Sequence, residues 1–468
     1  MTETILFAIG GLILFMGICY PAAMFIPYIR HKKISNAYKC SFEKRRFYSN
    51  IPGCERVAYI RDNTEALLYR LHMIERAKKS VILSTFAFHA DHAGKDVMAA
   101  LLGAANRGVE IKIIVDGISG YFDMRNNLYF QTLAAQRNIS IKIYNPLKLY
   151  RPWDLPARMH DKYLIIDDTM YLLGGRNTFD LFLGDCADKP NIDRELFVYQ
   201  TTSCEEASIC QLRTYFETVW GIEESRFFFG KEGIQTDAIF LELYARYKKM
   251  RNQYPAAYED WNYKSRTLPA SRISLLTNPI EAKNKEPWMW YSLCQLIKVG
   301  RQVTVFTPYL IFSKEMYADL TAITSYGKQV ECITNHVASG ANPWGCTDYM
   351  NQKQNIWKTG IRVHEYMGEH SSHTKALVVD ERLSIVGSYN FDMRSTYQDT
   401  ELMLAVDSAE LNALIRKEAE IDKTYSRVMS DNGKYKYGKN YISRNLSASK
   451  SVYYEIIRIL MLLLRRFL

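Results

Sequence analysis

The sequence predicts an α/β protein made of two similar halves and preceded by one apolar helix. A six-position motif occurs twice, and each residue of the second copy lies 213 positions after its counterpart. Around each copy, apolar runs of strand length alternate with helical patterns in the order strand, helix, strand. A third observation, 25 consecutive residues without a charged side chain at positions 5–29, predicts the helix.

The apolar stretch at residues 5–29 is long enough for one transmembrane helix, since about twenty residues cross the hydrocarbon core. Glu3 precedes it and no Lys or Arg does, which argues against a cleaved signal peptide. Seven Lys and Arg against one Glu follow at residues 30–46, so the positive-inside rule places the body in the cytoplasm. We therefore expect a single-pass cell-membrane anchor at residues 1–30 and a basic juxtamembrane linker at 31–54. A buried core helix is the alternative.

The two halves are predicted at residues 55–226 and 273–425. Apolar positions at helical spacing alternate in each half with short apolar runs typical of buried strands. Each half therefore contains a βαβ unit. The predicted helices are 64–77, 94–106, 290–299 and 314–324, and the predicted strands are 81–86, 111–116, 303–306 and 330–333.

Three further segments complete the domain plan. Residues 227–272, rich in Tyr, Lys and Arg, are predicted to connect the halves, with a helix at 244–263. The loop at 339–345 is too rich in Gly, Asn and Pro for regular structure, and it either lines a site or is a plain connector. Residues 426–468 form a basic tail with an amphipathic helix at 453–468, too short to span a membrane. That helix lies either along a membrane interface or against the body.

The charge distribution argues against a nucleic-acid substrate. The net charge is +10, but residues 423–468 alone carry ten Lys and Arg against two acidic residues. With the basic run at 30–46, this leaves the rest of the chain slightly acidic, whereas nucleic-acid binding predicts a basic body. The nine cysteines are odd in number and form no CxxC pair, which favours reduced thiols in a reducing cytosol.

The repeated motif predicts a pair of hairpins. Spacing of two places the histidine and the lysine of each copy on one face of a strand. The aspartate supplies a turn, and a second strand returns to a small pair of residues just before the asparagine. The first copy is His160, Lys162, Asp167, Gly174, Gly175 and Asn177, and the second is His373, Lys375, Asp380, Gly387, Ser388 and Asn390.

These residue types suit phosphoryl transfer. One imidazole can attack phosphorus and form a covalent intermediate, and a second can protonate the leaving oxygen and later deprotonate the acceptor. The phosphate-binding residues would be Lys162, Lys375, Asn177 and Asn390, which can hold the non-bridging oxygens. Each hairpin has a single histidine, so both copies must meet at one site.

No metal site is expected. His364, His370 and His373 lie close together in the sequence, but no carboxylate or cysteine accompanies them at a known ligand spacing. His89 and His92 are interpreted as structural or surface residues.

The pattern HxK(x)4D(x)6G[GS]xN, present twice, resembles the phospholipase D superfamily over roughly residues 55–425. Its settings, GGRN after the first copy and GSYNFDMRS after the second, are most similar to bacterial cardiolipin synthases. The resemblance implies a phospholipase D fold pseudo-dimer of mixed sheets flanked by helices. It also implies one active site between the halves, a phosphohistidine intermediate and no cofactor.

The resemblance also implies roles for individual residues. His160 is the implied nucleophile and His373 the implied acid and base. Glu195 and Glu401 occupy the place of the glutamate that follows each motif in the family, and with Gly175 and Ser388 they form the supporting set. Asp167 and Asp380 belong to the catalytic motif, with a structural or orienting role rather than contact with substrate.

The combined observations predict a membrane-bound phosphatidyltransferase, specifically a cardiolipin synthase. Its partners would be membrane phospholipids, with phosphatidylglycerol as donor, a second phospholipid as acceptor and phosphatidylethanolamine as a candidate co-substrate. No nucleic-acid partner is expected. Three alternatives stay open: a phospholipase D hydrolase that releases phosphatidic acid, a phosphodiesterase or nuclease acting on nucleic acid, and a binding-only descendant.

Overall fold

The computed structural model describes the backbone of residues 2–231, 233–430 and 432–467, and the side chains of these residues except 2–14, 16 and 463. Within this part of the chain, two nine-stranded mixed sheets are flanked by helices, and a third sheet has two strands. The helices are α1 Thr2–Ile29, α2 Asn36–Ser41, α3 Asn63–Arg76, α4 His92–Asn106, α5 Gly117–Ser119, α6 Leu128–Ala134, α7 Ser208–Gly221, α8 Ile234–Gln253, α9 Tyr263–Arg266, α10 Trp288–Ile297, α11 Lys314–Ser325, α12 Pro343–Lys358, α13 Met393–Tyr397, α14 Ala409–Thr424 and α15 Ala448–Leu464.

The strands are short and mostly buried, and they belong to the two large sheets except for β12 and β17, which pair with each other. They are β1 Glu55–Ile60, β2 Ser80–Thr85, β3 Glu110–Asp116, β4 Ile139–Tyr144, β5 Tyr163–Ile166, β6 Met170–Gly174, β7 Glu195–Gln200, β8 Ser225–Phe228, β9 Leu268–Pro269, β10 Arg272–Thr277, β11 Gln302–Phe306, β12 Leu310–Ile311, β13 Gln329–Asn335, β14 Arg362–Tyr366, β15 Ala376–Val379, β16 Leu383–Gly387, β17 Phe391–Asp392, β18 Leu402–Asp407, β19 Ser426–Met429 and β20 Tyr435–Tyr437.

The two large sheets repeat one strand order. The first runs β8-β4-β3-β2-β5-β6-β7-β1-β9, and the second contains β19-β14-β13-β11-β15-β16-β18-β10 in the same sequence of neighbours. In both, three neighbouring strands are parallel and the motif hairpin pairs antiparallel beside them. The prediction of an α/β fold with two similar halves is confirmed.

The core has three layers because successive strand residues face opposite sides of a sheet. In β2, Val81 and Leu83 pack with helices α3 and α4, whereas Ile82 packs in a cluster that both halves share. This shared cluster also contains apolar residues of α7 and α14, and a third cluster joins the second sheet to α10 and α11. The halves therefore meet through a continuous apolar layer.

The segment 227–272, predicted as the connection, packs with the first half. It contains the end of β8 at one edge of the first sheet and β9 at the other edge. Its helix α8 starts ten residues before the predicted 244 and ends at Gln253. Pro255 explains that end, since a proline disfavours helical backbone in the residue before it.

The loop predicted at 339–345 is irregular only as far as Asn342. Pro343 is the first residue of α12, and the Asn342 side chain accepts hydrogen bonds from the backbone N–H groups of Trp344 and Gly345. Proline is favoured at this helix position because its missing N–H would have no intrahelical partner there. The prediction of irregular structure is therefore wrong for residues 343–345.

The first helix, α1, covers Thr2–Ile29 and ends against the body, where the carbonyl of Pro27 accepts a hydrogen bond from the side chain of Asn284 at 2.9 Å. Over the described residues, no helix is both long and apolar enough to pass through a bilayer. The predicted span at 5–29 falls partly on side chains outside the described residues, at 5–14 and 16, so it stays a prediction.

The motif aspartates hold the turns of the two hairpins. Asp167 has a φ of 52° and Asp380 a φ of 49°, a left-handed conformation that aspartate tolerates. The carboxylate of Asp167 accepts hydrogen bonds from the backbone N–H groups of Lys78, Lys79 and Ser80 at 2.7–2.8 Å.

Asp380 makes the equivalent contacts, to the backbone N–H groups of Arg301 and Gln302. Each aspartate lies at the opposite end of a four-residue strand from its motif lysine, about 3.3 Å of rise per residue. Both carboxylates therefore bind backbone N–H groups at the start of a neighbouring strand, which is the structural role expected of them, and their place in the catalytic motif stays a prediction.

We expect Asp167→Asn to lower the free energy of unfolding by about 1–3 kcal/mol, because an amide nitrogen would face a backbone N–H. The matched control is Asp168→Asn in the same turn, where the side chain is exposed and pairs with Arg213. There the expected change is within about 0.5 kcal/mol. Urea unfolding of both variants measures the difference, and equal midpoints would contradict this role of Asp167.

Candidate active site

Each motif hairpin presents its polar residues at one end. His160 and Lys162 directly precede β5, and Asn177 follows β6 by three residues. Because β5 and β6 pair antiparallel, with Tyr163 opposite Leu173, the start of one strand and the end of the other lie together. The second copy has the same pairing, with Ala376 opposite Val386. The prediction of two hairpins is confirmed.

Two short parallel bridges bring the hairpin ends of the two halves together. Met159 pairs with Thr400, and Ser372 pairs with Ile192. The backbone N–H of His160 donates to the carbonyl of Thr400 at 3.2 Å. Likewise, the backbone N–H of His373 donates to the carbonyl of Ile192 at 2.6 Å. The residue before each histidine is thus fixed to the opposite half.

Each histidine also pairs with a carboxylate of the opposite half. Nδ1 of His160 lies 2.9 Å from Oε1 of Glu401. Nδ1 of His373 lies 2.7 Å from Oδ2 of Asp193. Both carboxylate side chains are fully buried. In each pair the Nδ1 position is occupied, which leaves Nε2 of each ring for chemistry.

Asp193, rather than Glu195, is the counterpart of Glu401. Gly174 pairs with Glu195 across the first sheet, and the equivalent Gly387 pairs with Met403 across the second. The residue two places before the paired one is therefore Asp193 in the first half and Glu401 in the second.

The assignment of Glu195 to the supporting set is corrected, because its carboxylate does not contact a motif histidine. It accepts hydrogen bonds from Arg70 at 2.6 and 2.8 Å and lies 3.7 Å from Arg176. Both Asp193 and Glu195 lie near this position in the sequence. Only the residue-by-residue pairing of the strands shows which of them corresponds to Glu401.

The small residue after each motif glycine sits against the pairing carboxylate. The hydroxyl of Ser388 donates to Glu401 and accepts from the backbone N–H of Leu402. A Cβ atom at Gly175 would lie 2.5 Å from Oδ2 of Asp193. Both predicted supporting residues therefore lie in the site. Ser388 donates a hydrogen bond to Glu401, and Gly175, which has no side chain, leaves room for the carboxylate of Asp193.

The motif lysines and asparagines are buried around the histidines. Nζ of Lys162 donates to the carbonyl of His160 at 2.6 Å, and Nζ of Lys375 donates to the carbonyl of His373. The Oδ1 atom of Asn390 has no hydrogen-bond partner within the described part of the chain. Asn177 is also buried. The predicted phosphate-binding residues are thus gathered at one place.

Two contacts compete at Nδ1 of His373, because Nζ of Lys375 also lies 2.7 Å from that atom. A nitrogen that donates a proton to Asp193 has no lone pair left for an ammonium group. We assign the hydrogen bond to Asp193, since a bond to an ionised acceptor is the stronger one. This assignment fixes the tautomer and leaves Nε2 of His373 unprotonated.

Burial and the neighbouring lysines keep both imidazoles neutral. Burial, followed by the charges of Lys162 and Lys375, lowers the pKa of His160 well below its ordinary value. Burial, followed by the charge of Lys375, lowers the pKa of His373 to about 3. A neutral imidazole can act as a nucleophile or as a base, so both rings are ready for either role.

The lysines and carboxyl groups of the site are shifted as well. Burial lowers the pKa of Lys162 to about 7 and that of Lys375 to about 8, and it raises the pKa of Glu401 to about 8. Asp193 is also penalised by burial, but Lys375 and His373 outweigh this and lower its pKa. The two histidines therefore have electrostatically different partners.

Further buried charged residues also link the two halves. Asp399 accepts from the backbone N–H of Arg158 at 3.1 Å and from the guanidinium of Arg394 at 3.0 Å. Arg394 also donates to the carbonyl of Pro156 in the first half. The motif alone did not identify Asp399, although its partner Arg394 belongs to the GSYNFDMRS segment that begins in the second motif copy.

A cavity of about 190 Å³ adjoins His373. Its lining is mostly uncharged and polar, with residues Asn191, Tyr309, Asn335, Asn342, Ser371 and Ser372. Gly340 and Ala341 belong to the same wall. Of the two roles left open for the loop at 339–345, the structure places it along the site.

Comparisons with known proteins identify relatives of the chain. A family model described as "Cardiolipin synthase, PLD-like domain" matches residues 71–220 and 293–423. The chain is 22% identical to cardiolipin synthase C of Escherichia coli strain K12, over 79% of this chain and 85% of that protein. It is 24% identical to cardiolipin synthase A of Wigglesworthia glossinidia brevipalpis, over 83% of this chain and 73% of that protein.

A solved structure has the same fold. The crystal structure of phosphatidylserine synthase from Haemophilus influenzae Rd KW20 matches 92% of this chain and 100% of its own, with a TM-score of 0.61 and 15% sequence identity. At this identity the likeness concerns the fold alone.

We expect Gly175→Ser to lower the free energy of unfolding by about 1–3 kcal/mol, because the new Cβ overlaps the carboxylate of Asp193. Gly221→Ser is the control, since nothing lies within 4 Å of a Cβ there, and its expected change is within about 0.5 kcal/mol. Urea unfolding compares the two variants. A Gly175→Ser protein as stable as the control would refute the close approach of Asp193.

Proposed function

The chain belongs to the phospholipase D-like family of cardiolipin synthases, and on this basis we propose that it transfers a phosphatidyl group from one phospholipid to another to make cardiolipin. The observation that carries the proposal is the cross-paired arrangement of two neutral histidines, each held by a carboxylate of the other half. Two imidazoles at one site match a two-step transfer through a covalent intermediate.

In the first step, Nε2 of His160 attacks the phosphorus of phosphatidylglycerol. The bond from phosphorus to the head-group oxygen breaks, and His373 gives that oxygen a proton, so glycerol leaves and the phosphatidyl group stays on His160. Lys162, Lys375 and the two asparagines hold the non-bridging oxygens of the phosphate. The assignment of His160 as nucleophile follows the family resemblance.

His373 must carry a proton to act as an acid, although its pKa is about 3 without substrate. The charge of Lys375 contributes to that low value. An anionic phosphodiester bound at Lys375 offsets this charge, so we expect the pKa of His373 to rise when substrate binds. Asp193 then stabilises the imidazolium that forms.

In the second step, a hydroxyl group of a second phospholipid attacks the same phosphorus. His373 removes the proton of that hydroxyl, the phosphorus–nitrogen bond to His160 breaks, and the enzyme returns to its starting state. Phosphatidylglycerol supplies a suitable hydroxyl. Phosphatidylethanolamine has none, so as a co-substrate it would be the donor, with ethanolamine in place of glycerol as the leaving group. With water as the acceptor, the same site would be a phospholipase D hydrolase.

The charge pattern supports a lipid substrate over a nucleic acid. The basic excess lies at the two ends of the chain, and the body between them is slightly acidic. We propose a cytoplasmic catalytic body anchored by residues 1–30 at the cell membrane. The ammonium and amide groups of the site supply the charge stabilisation that a phosphoryl transfer requires, so the proposed steps involve no metal or other cofactor.

The decisive experiment expresses the chain in a bacterium that lacks its own cardiolipin synthases, followed by lipid analysis. We expect cardiolipin to appear, and His160→Ala or His373→Ala to reduce it by about 10³-fold or more. The matched control is His92→Ala, on the exposed start of α4, with unchanged synthesis. Phosphatidic acid without cardiolipin would identify a hydrolase. Folded protein that makes neither product would refute the proposal.

The activity should fall at alkaline pH. Lys162 and Lys375 bind phosphate only when protonated, and their pKa values of about 7 and about 8 are lowered by burial. We therefore expect kcat/KM to decline as the pH rises through 7–8, since this parameter reports the free enzyme.

The matched variant for this pH profile is Lys162→Arg, whose guanidinium stays protonated. We expect it to lose activity overall but to shift the alkaline decline to higher pH. Initial rates on phosphatidylglycerol vesicles, measured from about two pH units below the lower of these pKa values to about two above the higher, provide the measurement. An unshifted profile would show that Lys162 does not titrate in this range.

A further inference from the structure

The outward face of α15 is apolar, although it is exposed. Val452, Ile456 and Ile459 lie three to four residues apart and so share one face of the helix. Their exposures are 63%, 55% and 68%, and Tyr453 and Leu460 beside them are also exposed. A continuous apolar helix face left in contact with water indicates an interaction surface.

The inward face of the same helix is fixed to the body. Tyr454, Ile457 and Met461 are buried. The guanidinium of Arg458 donates to the side chain of Asn351 in α12 at 2.9 Å, and that of Arg465 donates to Asp348 at 3.0 Å. Packing against the body therefore explains one face of the helix and leaves the outward face unexplained.

The end of α15 also touches the end of α1. The rings of Phe25 and Phe467 lie 4.0 Å apart, and Arg466 donates to the carbonyl of Ile29 at 2.9 Å. On α1, Ile18 and Ile26 are exposed. Exposed apolar side chains are thus present on both α15 and α1, whose ends meet.

The loop at residues 149–153 also contacts the end of α1. The hydroxyl of Tyr28 donates to the carbonyl of Trp153 at 3.0 Å. Leu149 is 69% exposed and Tyr150 is 76% exposed, and Trp153 is half-exposed. We call the outward residues of α15, together with Leu149, Tyr150 and Trp153, the apolar rim.

We propose that the apolar rim is a membrane-docking surface that lies in the head-group region of an anionic lipid bilayer. The surrounding charge favours this occupant, because residues 423–468 carry ten Lys and Arg against two acidic residues and residues 30–46 carry seven against one. Apolar side chains bordered by basic ones bind anionic interfaces. A second copy of the chain would bring like charges together, which disfavours association.

The apolar rim is close to the candidate active site. Cys346 of α12 lines the cavity beside His373, and Asn351 of the same helix accepts the hydrogen bond from Arg458 of α15. Helix α12 therefore contacts both the cavity and the docked helix. Resting on the proposed function, this places the entrance for lipid head groups next to the bilayer surface.

Photo-crosslinking tests the surface without any assay of activity. The full chain, with p-benzoylphenylalanine at position 459, is reconstituted in vesicles of phosphatidylglycerol and phosphatidylethanolamine. Position 241 on α8 is the control, because Leu241 is 65% exposed and Ile459 is 68% exposed. We expect lipid adducts by mass spectrometry at 459 and none at 241. Adducts to a second copy, or no lipid adduct at 459, would overturn the proposal.

Kinetics provides an independent measurement. We expect the double variant Ile456→Glu and Ile459→Glu to lose at least about tenfold in rate on vesicles, because each substitution removes an apolar side chain from the interface. Its rate on a short-chain phospholipid dissolved as monomers should equal that of the unsubstituted chain, with Leu241→Glu as the control. An equal loss of rate on both substrates would contradict docking. Inactivity of the unsubstituted chain on every lipid would instead reject the proposed function, and the crosslinking result alone would then test the docking surface.

Discussion

The site depends on the pairing of each histidine with a carboxylate of the opposite half. His160 meets Glu401, and His373 meets Asp193. The backbone bridges beside them also join the two halves, because the residue before each histidine pairs with a residue of the opposite half. Neither half alone can orient its own imidazole, so the apolar layer that joins the sheets is a condition for chemistry as well as for stability.

This arrangement buries charge at a cost that the surrounding residues only partly offset. Four groups with large pKa shifts, Lys162, Lys375, His373 and Glu401, owe them first to burial. Desolvation of buried ammonium groups is unfavourable. An anionic phosphodiester would supply a counter-charge for the two ammonium groups. The unfavourable free energy of burying them would then be offset when the substrate binds.

The sequence was sufficient for the fold and for the motif residues, because a repeat with strict spacing determines two identical hairpins. It was insufficient where the two halves differ in length after the motif. Glu195 was selected because it is a glutamate, but strand pairing makes Asp193 the counterpart of Glu401. Asp167 and Asp380 recur as faithfully as the histidines, but their carboxylates bind the backbone at the start of a neighbouring strand. Spacing within a motif cannot separate these two reasons.

The repeat is symmetric in backbone and asymmetric in charge. A glycine in the first half leaves room for the shorter carboxylate of Asp193, whereas Ser388 in the second half donates a hydrogen bond to the longer Glu401. The lysine and histidine charges lower the pKa of Asp193, while burial raises that of Glu401 to about 8. An ionised partner stabilises an imidazolium and a protonated partner does not. Two histidines at equivalent positions can therefore perform different tasks, which is the condition that a two-step transfer imposes on a site built from a repeat.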